Sequence, residues 1–386
     1  VSRRLKIVYL HPSLGVGGAE ELRVITLKHL DRARYDVRVC CLGDLGPIGA
    51  EIAALGYPVD ALGRSDRTFD LGTTLALRRY LREHAPDVVQ TSLFRTNWHG
   101  RLAALLAGVP VLIAEEHSLH DPRVGFYRYS ARLGPLFRAG DRWLAGRSAA
   151  IIACSRAVAD SITADEGIPS ERFVVIPNAA DPERLLPVLG RPATRARFGY
   201  TDREIVLGTV SSLTAVKGHI VLLEAFAEAR RSVPGLRLLV VGDGPARTGI
   251  ESAVGRLGLR AVVRLVGRTR MLGDLISSMD AFASAALSEG FGITFVEAMA
   301  LGVPCVAFRL GGIPEVVLDG ETGILVPPRD GRAFSDALVR LATDPPLRLK
   351  LGAAGRARVA AHFTPERYAQ AMADLYERLR PASVAA

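Results

Sequence analysis

Residues 281–301 read AFASAALSEGFGITFVEAMAL. A small, apolar strand ends near Ala285, a loop with glycines at 290 and 292 follows, and a helix runs to Leu301 before Gly302 and Pro304 stop it. Glu289 falls in the loop and Glu297 in the first turns of the helix, which places both carboxylates at the carboxyl end of a sheet. In open parallel sheets that end is where ligands bind.

The same strand-to-helix step repeats outward in both directions. Towards the amino end, candidate strands at 6–10, 36–42, 59–62, 88–92, 111–115, 150–154 and 173–176 are separated by helical patterns such as 19–30, 73–84 and 97–107. A second series follows, with strands at 205–210, 236–241, 262–266, 281–285, 304–308 and 323–326. Near-continuous Val, Ile and Leu in these runs implies parallel sheets covered on both faces. Two series imply an α/β chain of two Rossmann-like, doubly wound domains facing a central cleft. The expected division is 1–182, 183–365 and a C-terminal helix in 366–386 that crosses back to the first domain. Pro182, Pro187, Gly190 and Pro192 mark the join.

Composition narrows the class. At 386 residues the chain suits two cores. No run reaches the roughly 18 apolar residues that span a bilayer, and residues 5–10 read as a first strand rather than a signal peptide. Cys40, Cys41, Cys154 and Cys305 show no metal spacing and sit in apolar runs. Cys40 and Cys41, adjacent in a strand, point to opposite faces and make poor disulfide partners. Buried thiols suit a reducing, cytoplasmic compartment. The net charge of +9 favours anionic partners without choosing among them, and no nucleic-acid recognition motif is present.

Three stretches carry chemistry. Gly15-Val16-Gly17-Gly18-Ala19-Glu20 opens a helix directly after the first strand. Its amides and the helix dipole suit a phosphate, but Glu20 stands where a dinucleotide fingerprint needs its last glycine. The pair Glu289 and Glu297 can accept hydrogen bonds from vicinal diols, as in ribose or a hexose, and so hold both ends of a nucleotide sugar. Glu115-Glu116-His117 ends a first-domain strand, where a neutral imidazole can hydrogen-bond a sugar hydroxyl. His11 and His120 read as structural.

Residues 289–297, with their EGFG opening and EAMA continuation, resemble the Glu-x7-Glu motif of the retaining glycosyltransferases of family four. Four further motifs follow the family's order: Gly17-Gly18-Ala19-Glu20, Lys217-Gly218, the VGDGP turn within 239–245, and Gly311-Gly312-Ile313-Pro314-Glu315. The similarity spans about residues 5–365. It implies a GT-B fold and a nucleotide-diphosphate sugar donor, UDP- or GDP-linked. Glu297 would bind the ribose, and Glu289 the transferred sugar with the amides of Gly290, Phe291 and Gly292. Lys217 would neutralise the diphosphate, and Gly17 and Gly18 would line the first-domain side. His117 would face the donor sugar. Transfer with retention and without metal or other cofactor follows from the resemblance, and no Asp-x-Asp metal motif stands out.

Two departures matter. Ser212 occupies the position of the family's usual Arg, so the diphosphate clamp either weakens or recruits another guanidinium, with Arg268 and Arg309 as candidates. Ala179 replaces a glycine in the segment 178–181, which implies a less relaxed turn. Residues 123–147 interleave six arginines with aromatics, a pattern shared by core-facing helices with a solvated arginine face and by segments that touch an anionic membrane surface or acceptor. The acceptor is not legible. A non-catalytic nucleotide-sugar-binding partner of another transferase and a sugar-nucleotide epimerase of the same fold stay open as alternatives.

Overall fold

The computed structural model describes residues 3–15, 17–64, 70–119 and 134–385. The chain divides into two compact units, residues 1–179 with 365–386, and residues 180–364. Each is built on its own sheet.

In the first unit the strands are β1 (Leu5–His11), β2 (Tyr35–Cys41), β3 (Val59–Ala61), β4 (Val88–Ser92), β5 (Val111–Glu116), β6 (Ala150–Ala153) and β7 (Phe173–Val175). They pair in the order β3-β2-β1-β4-β5-β6-β7, all parallel, with Leu5 opposite Tyr35 and Ile7 opposite Val88. Period-two alternation sends Leu5, Ile7 and Tyr9 into one core and Val8 and Leu10 into the other. Cys41 joins the first core and Cys40 the second, so the adjacent thiols do lie on opposite faces of the sheet. All four cysteines are free and buried.

Helix Gly18–His29 covers the first face together with helix Pro365–Arg378 from the far end of the chain. Tyr368, Met372, Leu375 and Tyr376 of that second helix are buried in the first unit's core. Residues 365–378 therefore fold as part of the first unit.

The second unit holds β8 (Ile205–Val210), β9 (Leu236–Val241), β10 (Val263–Gly267), β11 (Ala281–Ser284), β12 (Cys305–Phe308) and β13 (Gly323–Val326). Their order, β10-β9-β8-β11-β12-β13, is again wholly parallel. In both sheets the order reverses beside the first strand of the series, which opens a crevice at the carboxyl edge between β1 and β4 and between β8 and β11. Ala179 is buried and does not take up a left-handed conformation, so the strain expected of its replacing glycine is absent. Among the described residues no helix is long and apolar enough to cross a membrane.

Candidate active site

The second unit gathers its chemistry at the switch point between β8 and β11. After β8 the chain turns through Ser211–Thr214 into a short 3-10 turn, Ala215–Lys217, and then helix His219–Ser232. Gly218 has φ +65, and a Cβ there would come within 1.8 Å of the Ala285 carbonyl oxygen. Only glycine permits that approach. A second stitch, Leu287 N–H to Val216 O at 2.8 Å, joins the same two loops. Between them Lys217 Nζ donates to Glu289 Oε2 at 2.7 Å. The lysine side chain is 22% exposed and the glutamate 15%, so this pair is partly shielded from water and still reachable.

The loop around Glu289 is fixed from behind. Gly312 N–H donates to Glu289 O at 3.0 Å, which ties the glycine-rich turn before Pro314 to the carboxylate's backbone. Phe291 is buried and packs edge-on against Phe363, while Phe295 packs edge-on against Phe282 of β11. Those contacts seat Gly290, Phe291 and Gly292 at the start of helix Ile293–Ala300, and Glu297 lies on this helix, largely buried. The two carboxylates expected to act together thus stand on one rigid loop-helix unit.

Ser212 is exposed and brings no charge to this site. Its loop is stitched to the turn after β9: Gly242, at φ +132, leaves room where a Cβ would meet Ser211 O at 1.9 Å, and Leu213 N–H donates to Asp243 O at 3.0 Å. Gly242 N–H also donates to Gly267 O at 2.9 Å, which places exposed Arg268 next to that turn. Arg309, the other candidate replacement, is engaged with Asp319 in a half-exposed ion pair. Buried His219 meets Ser211 Oγ at 3.0 Å, and burial first, then the Lys217 charge, lowers its pKa to about 4.

In the first unit, Gly17 precedes helix Gly18–His29 with an extended backbone, and Glu20 folds its carboxylate back over Gly17. Burial raises the Glu20 pKa, partly offset by a hydrogen bond from its own amide. Val16 and His120 lie outside the described residues. His11 is buried and accepts a hydrogen bond from Arg23, so it is structural, as expected.

His117, just beyond β5, has its Nε2 3.6 Å from Glu115 Oε2. The side chain is 12% exposed, and neither ring nitrogen closes a hydrogen bond of ordinary geometry among the described residues. Burial opposes its charge, but Cys154 and the Glu115 carboxylate outweigh that and hold the imidazole pKa well above its usual value. That shift favours the protonated ring, where the sequence pointed to a neutral imidazole; a protonated ring can only donate, from either nitrogen. Glu115 itself is fully buried, and despite that burial the Arg23 charge keeps it ionised.

Sequence reading gave no role to Arg23, Ser92, Glu115 or Tyr376, which form a buried network that reaches His117 through Glu115. The signal available was an arginine inside the buried run 22–27 of the first helix. Of the arginine-aromatic stretch 123–147, residues 123–133 lie outside the described residues. The remainder forms helix Gly134–Ala145, anchored by a buried ion pair between Arg101 and Asp141 and exposing Leu136 and Trp143. Arg147 stacks 3.7 Å over the Trp143 ring.

Two parallel-sheet Rossmann-like units, each with its candidate groups at the carboxyl edge, define the class as GT-B glycosyltransferases. The glycosyltransferase family 4 profile matches residues 16–184, and the glycosyl transferases group 1 profile matches residues 190–358. The chain belongs to this family. It is 30% identical over 298 residues to a GDP-mannose-dependent phosphatidylinositol monomannoside mannosyltransferase of Mycolicibacterium smegmatis, covering 72% of this chain and 73% of that one. It is 30% identical to a D-inositol 3-phosphate glycosyltransferase of Streptomyces bingchenggensis, over 75% of this chain and 66% of that one. An alpha-D-kanosaminyltransferase of Streptomyces kanamyceticus is 28% identical, with 72% and 73% covered. In fold, Anabaena HepE, crystallised with UDP and glucose, superposes with a TM-score of 0.84 at 22% identity, covering 97% of this chain and all of that one.

Proposed function

We propose that this glycosyltransferase moves a hexose or related sugar from a UDP- or GDP-sugar to its acceptor with retention of configuration and without a metal ion. The observation that carries the reading is the meeting of Lys217 and Glu289 at the second unit's switch point, with Glu297 on the adjoining helix. Lys217 takes the diphosphate, whose negative charge grows as the glycosidic bond breaks. A fixed ammonium and the amides of Gly290, Phe291 and Gly292 stabilise that charge without the reorganisation that water would need. Glu289 accepts from the sugar hydroxyls and Glu297 from the ribose. The cationic His117 donates to a hydroxyl or oxygen of the donor sugar, with Gly17 and Gly18 lining the same side. Arg268 supplies the positive charge that Ser212 does not.

Retention fits a front-face displacement in which the departing phosphate oxygen takes the acceptor's proton. The acceptor class is narrower than the family's range: relatives named for inositol phosphate and phosphatidylinositol mannoside, together with a net charge of +9, favour an acceptor that bears phosphate. A lipid-linked acceptor would bring the protein to the cytoplasmic face of the membrane as a peripheral enzyme, and buried free thiols suit that reducing compartment.

The test is nucleotide release across UDP- and GDP-sugars, first without acceptor and then with phosphorylated polyols and lipid phosphates, in the presence of EDTA. Release from one donor, rising with acceptor and giving a product of unchanged anomeric configuration, is the expected result. Donor binding without any release would instead indicate a non-catalytic partner, and donor isomerisation without acceptor would indicate an epimerase.

A further inference from the structure

Beneath His117 lies a buried polar network to which the transfer chemistry assigns no task. Arg23 is fully buried, its guanidinium stacked 3.8 Å over Tyr9. It donates to Glu115 Oε2 at 2.6 Å and to His11 Nε2 at 3.1 Å. Ser92 Oγ donates to the same Glu115 oxygen, and Gln90 Nε2 donates to the other. The Gln90 carbonyl oxygen in turn accepts from Tyr376 Oη at 2.6 Å, and the Tyr376 and Tyr9 hydroxyls are 2.7 Å apart. Every one of these groups is buried.

An ion pair at this depth is a poor device for stability, since well-packed apolar side chains of similar volume serve as well or better. Its effect is to hold one carboxylate in one orientation. Both Glu115 oxygens are occupied, and the oxygen that takes Arg23 is also the one 3.6 Å from His117 Nε2. That separation is a charge contact rather than a hydrogen bond, of the kind that tightens when a substrate engages the site.

We propose that Glu115 is the positioning residue of His117, and that a relay from Tyr376 through Gln90, with Arg23 opposite, aims it. The C-terminal helix Pro365–Arg378 is thereby a working part of the first unit's site. The inference rests on the reading that His117 faces the donor sugar. Other groups also act on the imidazole: Glu20 from helix Gly18–His29, His11 from β1, Glu116 from β5 and Cys154 after β6. Tyr368 of the C-terminal helix faces Glu115 and Cys154 in turn. Among these, Glu115 alone is bound on both carboxylate oxygens by side chains of other elements.

Tyr376→Phe deletes one hydroxyl and keeps the ring that packs edge-on against Tyr35. In the full-length protein we would follow nucleotide release against pH, and the His117 ring resonance by NMR titration, for wild type, Tyr376→Phe and Glu115→Gln. For Tyr376→Phe, kcat should fall about three- to tenfold, the worth of one hydrogen bond, with KM for the donor unchanged. The His117 titration and the basic limb of the kcat profile should both move down by about one pH unit, and further in Glu115→Gln. If Glu115→Gln does not fold, Ser92→Ala replaces it, with a smaller shift in the same direction. A Tyr376→Phe protein that melts lower but keeps the wild-type kcat, pH profile and His117 titration would overturn the proposal. Full turnover by His117→Ala would instead remove the role given to His117, while the titration shifts still report whether Glu115 is coupled to it.

Discussion

Lys217 Nζ sits 2.7 Å from Glu289 Oε2, so the cation assigned to the diphosphate and the carboxylate assigned to the sugar answer each other across the switch point. A donor that engages both has to part them. It replaces the carboxylate with phosphate oxygens on the lysine and the ammonium with sugar hydroxyls on the glutamate. The exchange conserves charge-assisted bonds, so entry of the correct donor need not strand either group.

Removing either member should therefore do more than weaken binding. Lys217→Ala and Glu289→Ala are expected to lower the rate of nucleotide release about a hundredfold or more, the scale of losing one preorganised charge-stabilising group. The double variant should be little worse than either single one, because the two act as a unit. Steady-state release assays on folded protein, checked by circular dichroism, test this. Near wild-type turnover in both single variants would dismiss the site.

Gly218→Ala should hurt both stability and donor binding. The position combines φ +65 with a Cβ path blocked by Ala285 O, so the backbone must move. A left-handed non-glycine residue costs about 1–3 kcal/mol, and the shift displaces Lys217 next door. Denaturant titration should show lower stability, and calorimetry should show weaker binding of nucleoside diphosphate. An unchanged Kd would mean that the stitch to β11 does not place Lys217.

Ser212→Arg tests the departure in the phosphate clamp. A guanidinium there can grip the diphosphate bidentately, and the expected gain is about tenfold in Kd for the nucleoside diphosphate. Arg268→Ala should weaken the same affinity by a similar factor in the wild type and by less in the Ser212→Arg background, if the two compete for the same oxygens. Additive effects would show that Arg268 acts elsewhere.

Acid should destabilise the fold through two buried histidines. His11 is lowered to about 3 by burial and the Arg23 charge, and His219 to about 4 by burial and the Lys217 charge. Unfolded histidine titrates near 6.5. Between roughly pH 6.5 and 4 the unfolded chain therefore binds protons at these two sites that the folded chain refuses, and their contribution to stability falls as pH falls. Two groups act against this: His117, raised, adds stability as pH falls towards its unfolded value near 6.5, and Glu116, raised by burial to about 7, does so between about pH 7 and 4.5. Measured against wild type, His219→Gln should make the melting temperature fall less, or rise more, as pH drops from 6.5 to 5. An unaltered slope would count against the buried neutral form of His219.

Much of the fold was legible because its signals are local. The runs at 6–10 and 205–210 are apolar enough to be strands buried on both faces, and glycine or proline stops such as Gly302 and Pro304 set element ends through backbone sterics alone. Element starts were less sharp: the helix expected from 97 begins at Phe94, behind Leu93 in a left-handed conformation that no propensity anticipates. Glu289 and Glu297 were legible as a pair because one loop and one helix carry both. The charge state of His117 was not, since it depends on Cys154 and on a carboxylate whose own ionisation is set by Arg23.

Local order along the chain was enough for the alternation of strand and helix and for the presence of two such series, because each rests on periodicity within a few dozen residues; the family resemblance rested on five short motifs in order. Tertiary structure alone decided which distant side chains meet: Lys217 with Glu289 across 72 positions, Arg23 with Glu115 across 92, and Tyr376 with Gln90 across 286. A hydrogen bond depends on ångström separations and a pKa on what excludes water, and neither quantity exists until the chain has folded back on itself.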